Sequence, residues 1–308
     1  MDNAALEQQA SVNHSIIGPG THIGQGEVHA SIVGPMIAQH HQSLLIACDW
    51  RKGRGNIGYG ANLGANHSSR LPDQSACFGE GQFFGLNSAV QFPGNLTEAP
   101  YSILAISTTL KPQRICLPFS LIISGTNAFN RIIPAWNLEN NIFLILRTYR
   151  KMSKRWQEGY SDAPDWNPFR SENRAFMHRA CELLTIALDK HQELPSETQT
   201  ATPNSNNMPL LLGEAATSSF AFQADIAAAV ISYQQAIRFG ELLDQPSELF
   251  GKKDVQEMNE IISEMLLNLN KCREKDRRLT QVVHPASPAP KDDAELLQLR
   301  DFLESLRP

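Results

Sequence analysis

His67 is the residue of this chain whose type and setting best fit general-base chemistry. Histidine titrates near neutrality, so in an acyl transfer it would take a proton from an acceptor hydroxyl or amine as that group attacks a thioester carbonyl. It follows Asn66, a residue type that tolerates the left-handed conformation of a tight corner. In the alternative interpretation, His67 closes the exit of the loop Ser68–Ala76 through hydrogen bonds to the backbone.

Three charged residues follow His67 within a short stretch of chain. Arg70 and Asp73 are three residues apart in the same predicted loop. The guanidinium of Arg70 could hold a phosphate or carboxylate with two hydrogen bonds, and Asp73 could orient His67 or bind a sugar hydroxyl. Alternatively, the two side chains pair with each other and only fix the loop. Glu80 is a further candidate for contact with a substrate.

These residues lie within a repeat of six residues. Each unit begins with an aliphatic or aromatic residue followed by glycine, and its fifth position often holds a small residue. His67 occupies such a fifth position, and a broken local rule inside a regular element is where a functional site is expected. The clearest units begin at Ile17, Ile23, Ile57, Leu63, Phe78 and Phe84.

This spacing predicts the fold, for a reason that follows from the geometry of short strands. A short strand points one apolar residue inward, and glycine then allows the sharp corner and close backbone approach that the next strand requires. Repeated every six residues, this pattern winds the chain into stacked coils, and hexapeptide spacing is the signature of a parallel β-helix. Residues Gln39–Asn56 and Ser68–Ala76 break the period, so we expect loops to leave the coil there.

Residues 12–123 resemble the left-handed parallel β-helix hexapeptide-repeat superfamily. This superfamily includes UDP-N-acetylglucosamine acyltransferases, serine and maltose acetyltransferases, and the C-terminal domains of sugar-nucleotide pyrophosphorylases. Within it, the chain is most similar to an uncharacterised bacterial branch. Four segments carry that second resemblance, namely Asn66–Gln74, Gly79–Gly85, Ala99–Ser102 and Leu117–Ile122.

The resemblance implies a transferase, although the sequence leaves open whether the protein is an enzyme. The implied reaction is acyl or acetyl transfer to a nucleotide-linked or phosphorylated sugar, with His67 as general base. Asn66, Arg70, Asp73 and Glu80 would bind the substrate. No cofactor would be bound permanently, and acetyl-CoA or another acyl thioester would be the co-substrate. The implied assembly is a homotrimer.

The alternative function is non-catalytic. In this interpretation the chain is a scaffold or regulatory β-helix related to the pyrophosphorylase C-terminal domains, which bind effectors and assemble subunits.

A metal centre is not predicted. Six of the nine histidines precede residue 68, but they form no compact set on adjoining coils.

Glycine and charge divide the chain into two parts. Residues 1–125 hold 15 of the 19 glycines and only 13 of the 59 charged residues. Because interior glycines disfavour helix, we predict a mainly β fold for 1–125, the left-handed β-helix domain, and an α-helical appendage for 126–308. The appendage contains apolar stripes at helical spacing over 138–156, from Ser171, and over 221–243, 253–277 and 297–306. A proline-containing polar stretch near 193–209 predicts a flexible linker.

Composition limits the partners and the compartment. The 308 residues carry a net charge of −5, which argues against nucleic acid or an anionic membrane as the main partner. The partner that the resemblance implies is a small, sugar-nucleotide-like ligand. The five cysteines show no Cys-x-x-Cys pattern, so a disulfide framework is not predicted. The chain shows no signal-like segment and no apolar run of 18 residues, and we therefore expect a cytoplasmic protein.

Overall fold

The hexapeptide stretch forms a coil whose three walls are parallel β-sheets. The computed structural model describes residues 3–65, 75–159, 165–192, 208–245, 251–265 and 267. These residues fall into two compact units, one from 1–137 with 175–233 and the other from 138–174 with 234–308. The first unit contains the coil, which makes about six turns of three strands each.

Each wall is built from one strand of every turn, and the order within each wall follows the chain. The first wall contains β1 (Ala5–Glu7), β4 (His22–Gly24), β7 (Ala38–Gln39), β10 (Asn56–Ile57), β13 (Phe83–Phe84), β16 (Ile103–Leu104) and β19 (Leu121–Ile123). The second contains β2 (Ser11–Asn13), β5 (Glu27–His29), β8 (Leu44–Ile46), β11 (Asn62–Ala65), β14 (Ala89–Gln91) and β17 (Thr109–Leu110). The third contains β3 (Ile16–Ile17), β6 (Ile32–Val33), β9 (Cys48–Trp50), β12 (Ala76–Phe78), β15 (Gly94–Leu96) and β18 (Gln113–Arg114).

The repeat's leading apolar residues form the core of the coil. Ile23, Ile57 and Phe84 lie in register in the first wall, with Gln39 between the first two, and all three are fully buried, because alternate residues of a strand face opposite sides of its sheet. At the middle of the coil, the rings of Trp50, Phe78 and Phe84 pack edge to face with centroids 4.9–5.6 Å apart. The prediction of a parallel β-helix followed by helices is confirmed.

The expectation that residues 39–56 leave the coil is wrong. This stretch contains β8 and β9, and it pairs in register with the turns before and after it. Leu45, Cys48 and Trp50 supply buried side chains here. At two corners of this stretch Gln42 and Ala47 take the left-handed conformation, so the glycine of the repeat is missing from the sequence there.

Three strands beyond residue 125 extend the first wall. β20 (Asn130–Ile133) pairs antiparallel with β19, and it is followed in the sheet by β22 (Ser219–Phe222) and then β21 (Pro209–Leu211). A buried polar network joins them to the last turn. Gln113 donates from Nε2 to Asn130 Oδ1 at 3.0 Å, and Ser219 Oγ donates to Gln113 Oε1 at 2.7 Å. Pro209 therefore lies in a strand, while 193–207 of the predicted linker lie outside the described residues.

The helices begin and end close to where the apolar stripes predict. They are α1 (Trp136–Asn140), α2 (Ile142–Gly159), α3 (Ser171–Lys190), α4 (Gln223–Asp244) and α5 (252–265). The prediction for α4 starts two residues early, because Ala221 and Phe222 belong to β22. The continuation of α5 towards residue 277 and the predicted helix 297–306 lie outside the described residues, apart from residue 267.

The second unit is held by aromatic and ionic contacts. Trp156 packs edge to face against Trp166 at 4.9 Å, and Phe169 packs against Phe239 at 5.1 Å. Arg238 on α4 is 2.9 Å from the Glu257 carboxylate and 3.0 Å from that of Asp254. Among the described helices, none is long and apolar enough to cross a bilayer.

Candidate functional site

One turn of the coil is longer than the others. The core residues paired along the first wall are 16 to 20 residues apart in sequence, except for one pair. Ile57 and Phe84 pair across β10 and β13, yet they are separated by 27 residues. This turn therefore contains about nine extra residues, and it is the turn that contains the stretch around His67.

The four residues most central to the predicted site, Asn66, His67, Arg70 and Asp73, lie outside the described residues. The structure describes the positions that bracket them. Gly64, with φ +109°, lies in β11 beside a shift in the strand register. The described chain resumes at Ser75, whose carbonyl accepts a hydrogen bond from the Gly94 amide at 3.2 Å. On either side of these residues, β11 and β12 both pair with the turns before and after them.

Next to this point, the outer face of the third wall carries polar side chains. Asp49, Cys77 and Asn95 stand in register on three successive turns. Asp49 accepts hydrogen bonds from Arg51 Nε at 2.9 Å, and the hydroxyl of Thr97 donates to Asn95 Oδ1 at 2.6 Å. The wall beside the long turn therefore presents groups that can hydrogen-bond a polar ligand.

Glu80 has a different environment from the one expected of a substrate-binding residue. Its carboxylate is 2.7 Å from the Arg54 guanidinium, and both side chains are only 3% exposed. Arg54 also donates to the Tyr101 hydroxyl, and the Tyr101 ring stacks on Phe119 at 4.9 Å. These contacts hold one corner of the coil together across successive turns, so Glu80 contributes to packing there.

The segment Asp49–Arg54 contains three cations, Arg51, Lys52 and Arg54. Of its cations, Arg51 pairs with Asp49 on the surface and Arg54 is buried against Glu80. Both guanidinium groups therefore have partners inside the protein.

Three histidines of the first turns each contact another titratable side chain. The rings of His14 and His29 meet edge to face at 5.7 Å on adjacent turns, and His22 is 3.6 Å from the Glu7 carboxylate. Within the part of the chain that the structure describes, no group of three or more histidine, cysteine, aspartate or glutamate side chains is arranged to hold a metal ion.

The described cysteines do not offer a ready nucleophile. Burial raises the pKa of the Cys116 and Cys181 thiols to about 11, and it also raises the pKa of Cys48 and Cys77. A thiol with a pKa near 11 is ionised in roughly one molecule in ten thousand at neutral pH. None of these four thiols is therefore suited to act as a nucleophile at neutral pH.

A line of exposed apolar side chains on the coil was not predicted from the sequence. Tyr59, Leu86 and Ile106 follow the core residues of three successive turns, and they are 46%, 46% and 61% exposed. The amide of Asn87 donates to the Tyr59 carbonyl at 2.9 Å, and that of Ser107 donates to the Leu86 carbonyl at 2.8 Å, so the three residues are stacked. Phe83 on the adjacent wall is 41% exposed. The signal was present in the large residue that follows the repeat's glycine in Gly58-Tyr59 and Gly85-Leu86.

Comparison with known proteins assigns no family to the chain. No protein-family model matches it. A stretch of 131 residues is 28% identical to an uncharacterized protein of Treponema pallidum (strain Nichols). The matched region covers 42% of this chain and 18% of that protein, so the chain spans less than a fifth of its relative's length.

Proposed function

We propose that this protein is an acyltransferase whose active site lies at the long turn of the coil. The observation that supports this most is the length of that turn, because Ile57 and Phe84 are 27 residues apart where the other pairs along β1 to β19 of the first wall are 16 to 20 apart. Binding and catalytic residues are concentrated on loops that a rigid scaffold positions. The long turn contains His67, Arg70 and Asp73 within seven residues.

In the proposed reaction, His67 acts as the general base. It removes the proton from an acceptor hydroxyl or amine as that atom attacks the thioester carbonyl of acetyl-CoA or another acyl thioester. The new bond to the acyl carbon forms, the carbon–sulfur bond breaks, and His67 returns the proton to the departing thiolate. Arg70 holds a phosphate of the nucleotide-linked or phosphorylated sugar, Asp73 orients His67 or binds a sugar hydroxyl, and Asn66 shapes the pocket.

We further propose a homotrimer in the cytoplasm. The stacked residues Tyr59, Leu86 and Ile106 support self-association, because an exposed apolar line on a coil is typical of an interaction surface. The described cysteines Cys48, Cys77, Cys116 and Cys181 are all free thiols, which fits a reducing compartment.

A second candidate function is a scaffold or regulatory β-helix without catalysis. The burial of Glu80 against Arg54 favours it, since one predicted ligand-binding carboxylate instead stabilises the coil. In that case the long turn would bind an effector or a partner and would not turn over a substrate.

Isothermal titration of the full chain with acetyl-CoA and with UDP-sugars tests the proposal. We expect binding of a donor and of an acceptor, and Arg70→Ala should weaken acceptor binding roughly ten- to hundred-fold through loss of charged hydrogen bonds. Arg51→Ala removes a guanidinium that is already paired with Asp49, and it should leave the affinity unchanged. The absence of binding to every donor and acceptor, with the oligomer intact, would exclude the acyltransferase.

A further inference from the structure

Among the elements that the structure describes, α2 carries the most basic side chains, and four of its five basic side chains are exposed. Between residues 142 and 159 the chain carries five basic side chains and one acidic one, Glu158. The rest of the protein has 22 basic and 31 acidic residues, so a net charge of +4 on this helix is set against −9 elsewhere. The average over the whole chain, which argued against an anionic membrane partner, conceals this local concentration.

The apolar stripe of α2 is buried inside the protein. Ile142, Leu146 and Trp156 are 3%, 3% and 7% exposed. The helix therefore has no free apolar face with which to insert deeply into a membrane, and any docking must use the opposite, polar face.

That opposite face is positively charged. Lys151, Lys154 and Arg155 are exposed and stand at helical spacings of three and four residues, so they share one side of the helix. Among the side chains that the structure describes, which do not include that of Glu158, no carboxylate pairs with these three. Leu144, seven residues before Lys151, lies on the same side and is 44% exposed. We call this surface the basic face of α2, with Arg150 at its margin.

The shape of the basic face fits a flat anionic surface. A straight helix of 18 residues is about 27 Å long, and charges along one side of it can all approach a plane. Clusters of four or more basic residues on an amphipathic helix are typical of binding to anionic lipid headgroups. Single-stranded nucleic acid is bound with exposed aromatic rings that stack on bases, and the tryptophan of α2 is buried.

We propose that the basic face of α2 docks the protein reversibly on bilayers that contain anionic phospholipid. The headgroup phosphates and carboxylates would contact Lys151, Lys154 and Arg155, and Leu144 would touch the interfacial region. The contact is electrostatic, so it weakens as ionic strength rises. This inference goes beyond the proposed function and does not depend on it.

Sedimentation of the full chain with vesicles tests the proposal. The two vesicle types contain phosphatidylcholine alone, or phosphatidylcholine with phosphatidylserine as roughly a third of the lipid. We expect binding to the second type only, and its loss in high salt. The variant K151Q/K154Q/R155Q should bind roughly a hundred-fold more weakly, because each basic residue near an anionic surface contributes roughly five-fold.

The matched control is K190Q/K252Q/K253Q, which removes three exposed lysines outside the basic face. It has the same net charge as K151Q/K154Q/R155Q. It should bind like the wild type, and circular dichroism should show both variants folded, since glutamine and lysine have similar helix propensities. Four results would overturn the proposal. They are no binding to phosphatidylserine vesicles at low salt, equal binding to both vesicle types, an equal loss in the control variant, and tighter binding to duplex DNA than to vesicles.

Discussion

Two arginine–carboxylate pairs in this protein have the same chemistry and different surroundings. Arg54 and Glu80 are enclosed in a corner of the coil, with both side chains 3% exposed. Arg51 and Asp49 pair on the surface, where the Arg51 side chain is 71% exposed. Water screens the Arg51–Asp49 pair and can solvate either charge when the other is removed. Removal of Arg54 or Glu80 instead leaves an uncompensated charge inside the protein.

Glu80→Ala should therefore destabilise the fold strongly. We expect the free energy of unfolding to fall by about 3–5 kcal/mol, because the Arg54 guanidinium would remain buried without its carboxylate. Urea unfolding followed by circular dichroism measures this change. Arg51→Ala serves as the control and should leave the transition midpoint nearly unchanged. Equal effects of the two substitutions would contradict the assignment of Glu80 to the core.

The different positions of these two pairs were not predictable from local sequence. Glu80 is charged and lies in a glycine-rich stretch, which makes it a reasonable candidate for ligand binding. Its partner Arg54 is 26 residues away in the chain. The two meet only because the long turn between β10 and β13 brings distant corners together, and a six-residue period does not contain that information.

At the scale of the element, the coil depends on corners where backbones of adjacent turns approach closely. Gly53 has φ +62°, and a methyl group added there would lie 2.1 Å from the Pro35 carbonyl oxygen. Gly213 has a similar φ of +54°, but no atom lies within 4 Å of such a methyl group. Alanine at Gly213 would therefore meet only the cost of the left-handed conformation, whereas alanine at Gly53 would meet that cost and a steric clash as well.

Gly53→Ala should cost more than Gly213→Ala. We expect about 1–2 kcal/mol for the left-handed conformation at either position. The clash at Gly53 should add about 1–3 kcal/mol, because the Pro35 carbonyl must move. Thermal unfolding of the two variants side by side measures the difference. Similar melting temperatures would show that the corner relaxes without cost.

The elements could be predicted where their pattern is local, and not where it depends on distant partners. The repeat of apolar residue and glycine is sufficient for the coil, and the stripe from Ser171 is sufficient for α3. Residues 39–56 were misassigned because their corners at Gln42 and Ala47 use residues other than glycine in the left-handed conformation. β20 and β22 have no repeat of their own, and the pairing that joins them in the sheet is between Asn130 and Ser219, which are 89 residues apart.

At the scale of the whole molecule, the apolar line of Tyr59, Leu86 and Ile106 bears on the proposed trimer. Burying one large aliphatic side chain contributes about 1.5–3 kcal/mol. Ile106→Asp would place a charge in the proposed interface, so we expect the trimer to dissociate to monomers in light scattering. Ile16→Asp changes an equally exposed isoleucine on another wall and should leave the mass unchanged. A trimer that persists in Ile106→Asp would show that this line is not the interface.

The acyltransferase proposal itself is tested most directly by comparing acyl transfer by the wild type and by His67→Ala, with thermal unfolding measured on the same samples. If His67 is the general base, the melting temperature should be unchanged, and turnover with the donor and acceptor identified by titration should fall roughly 10²–10⁴-fold. A lowered melting temperature in His67→Ala, with binding of the same ligands unchanged, would contradict the account and favour the scaffold.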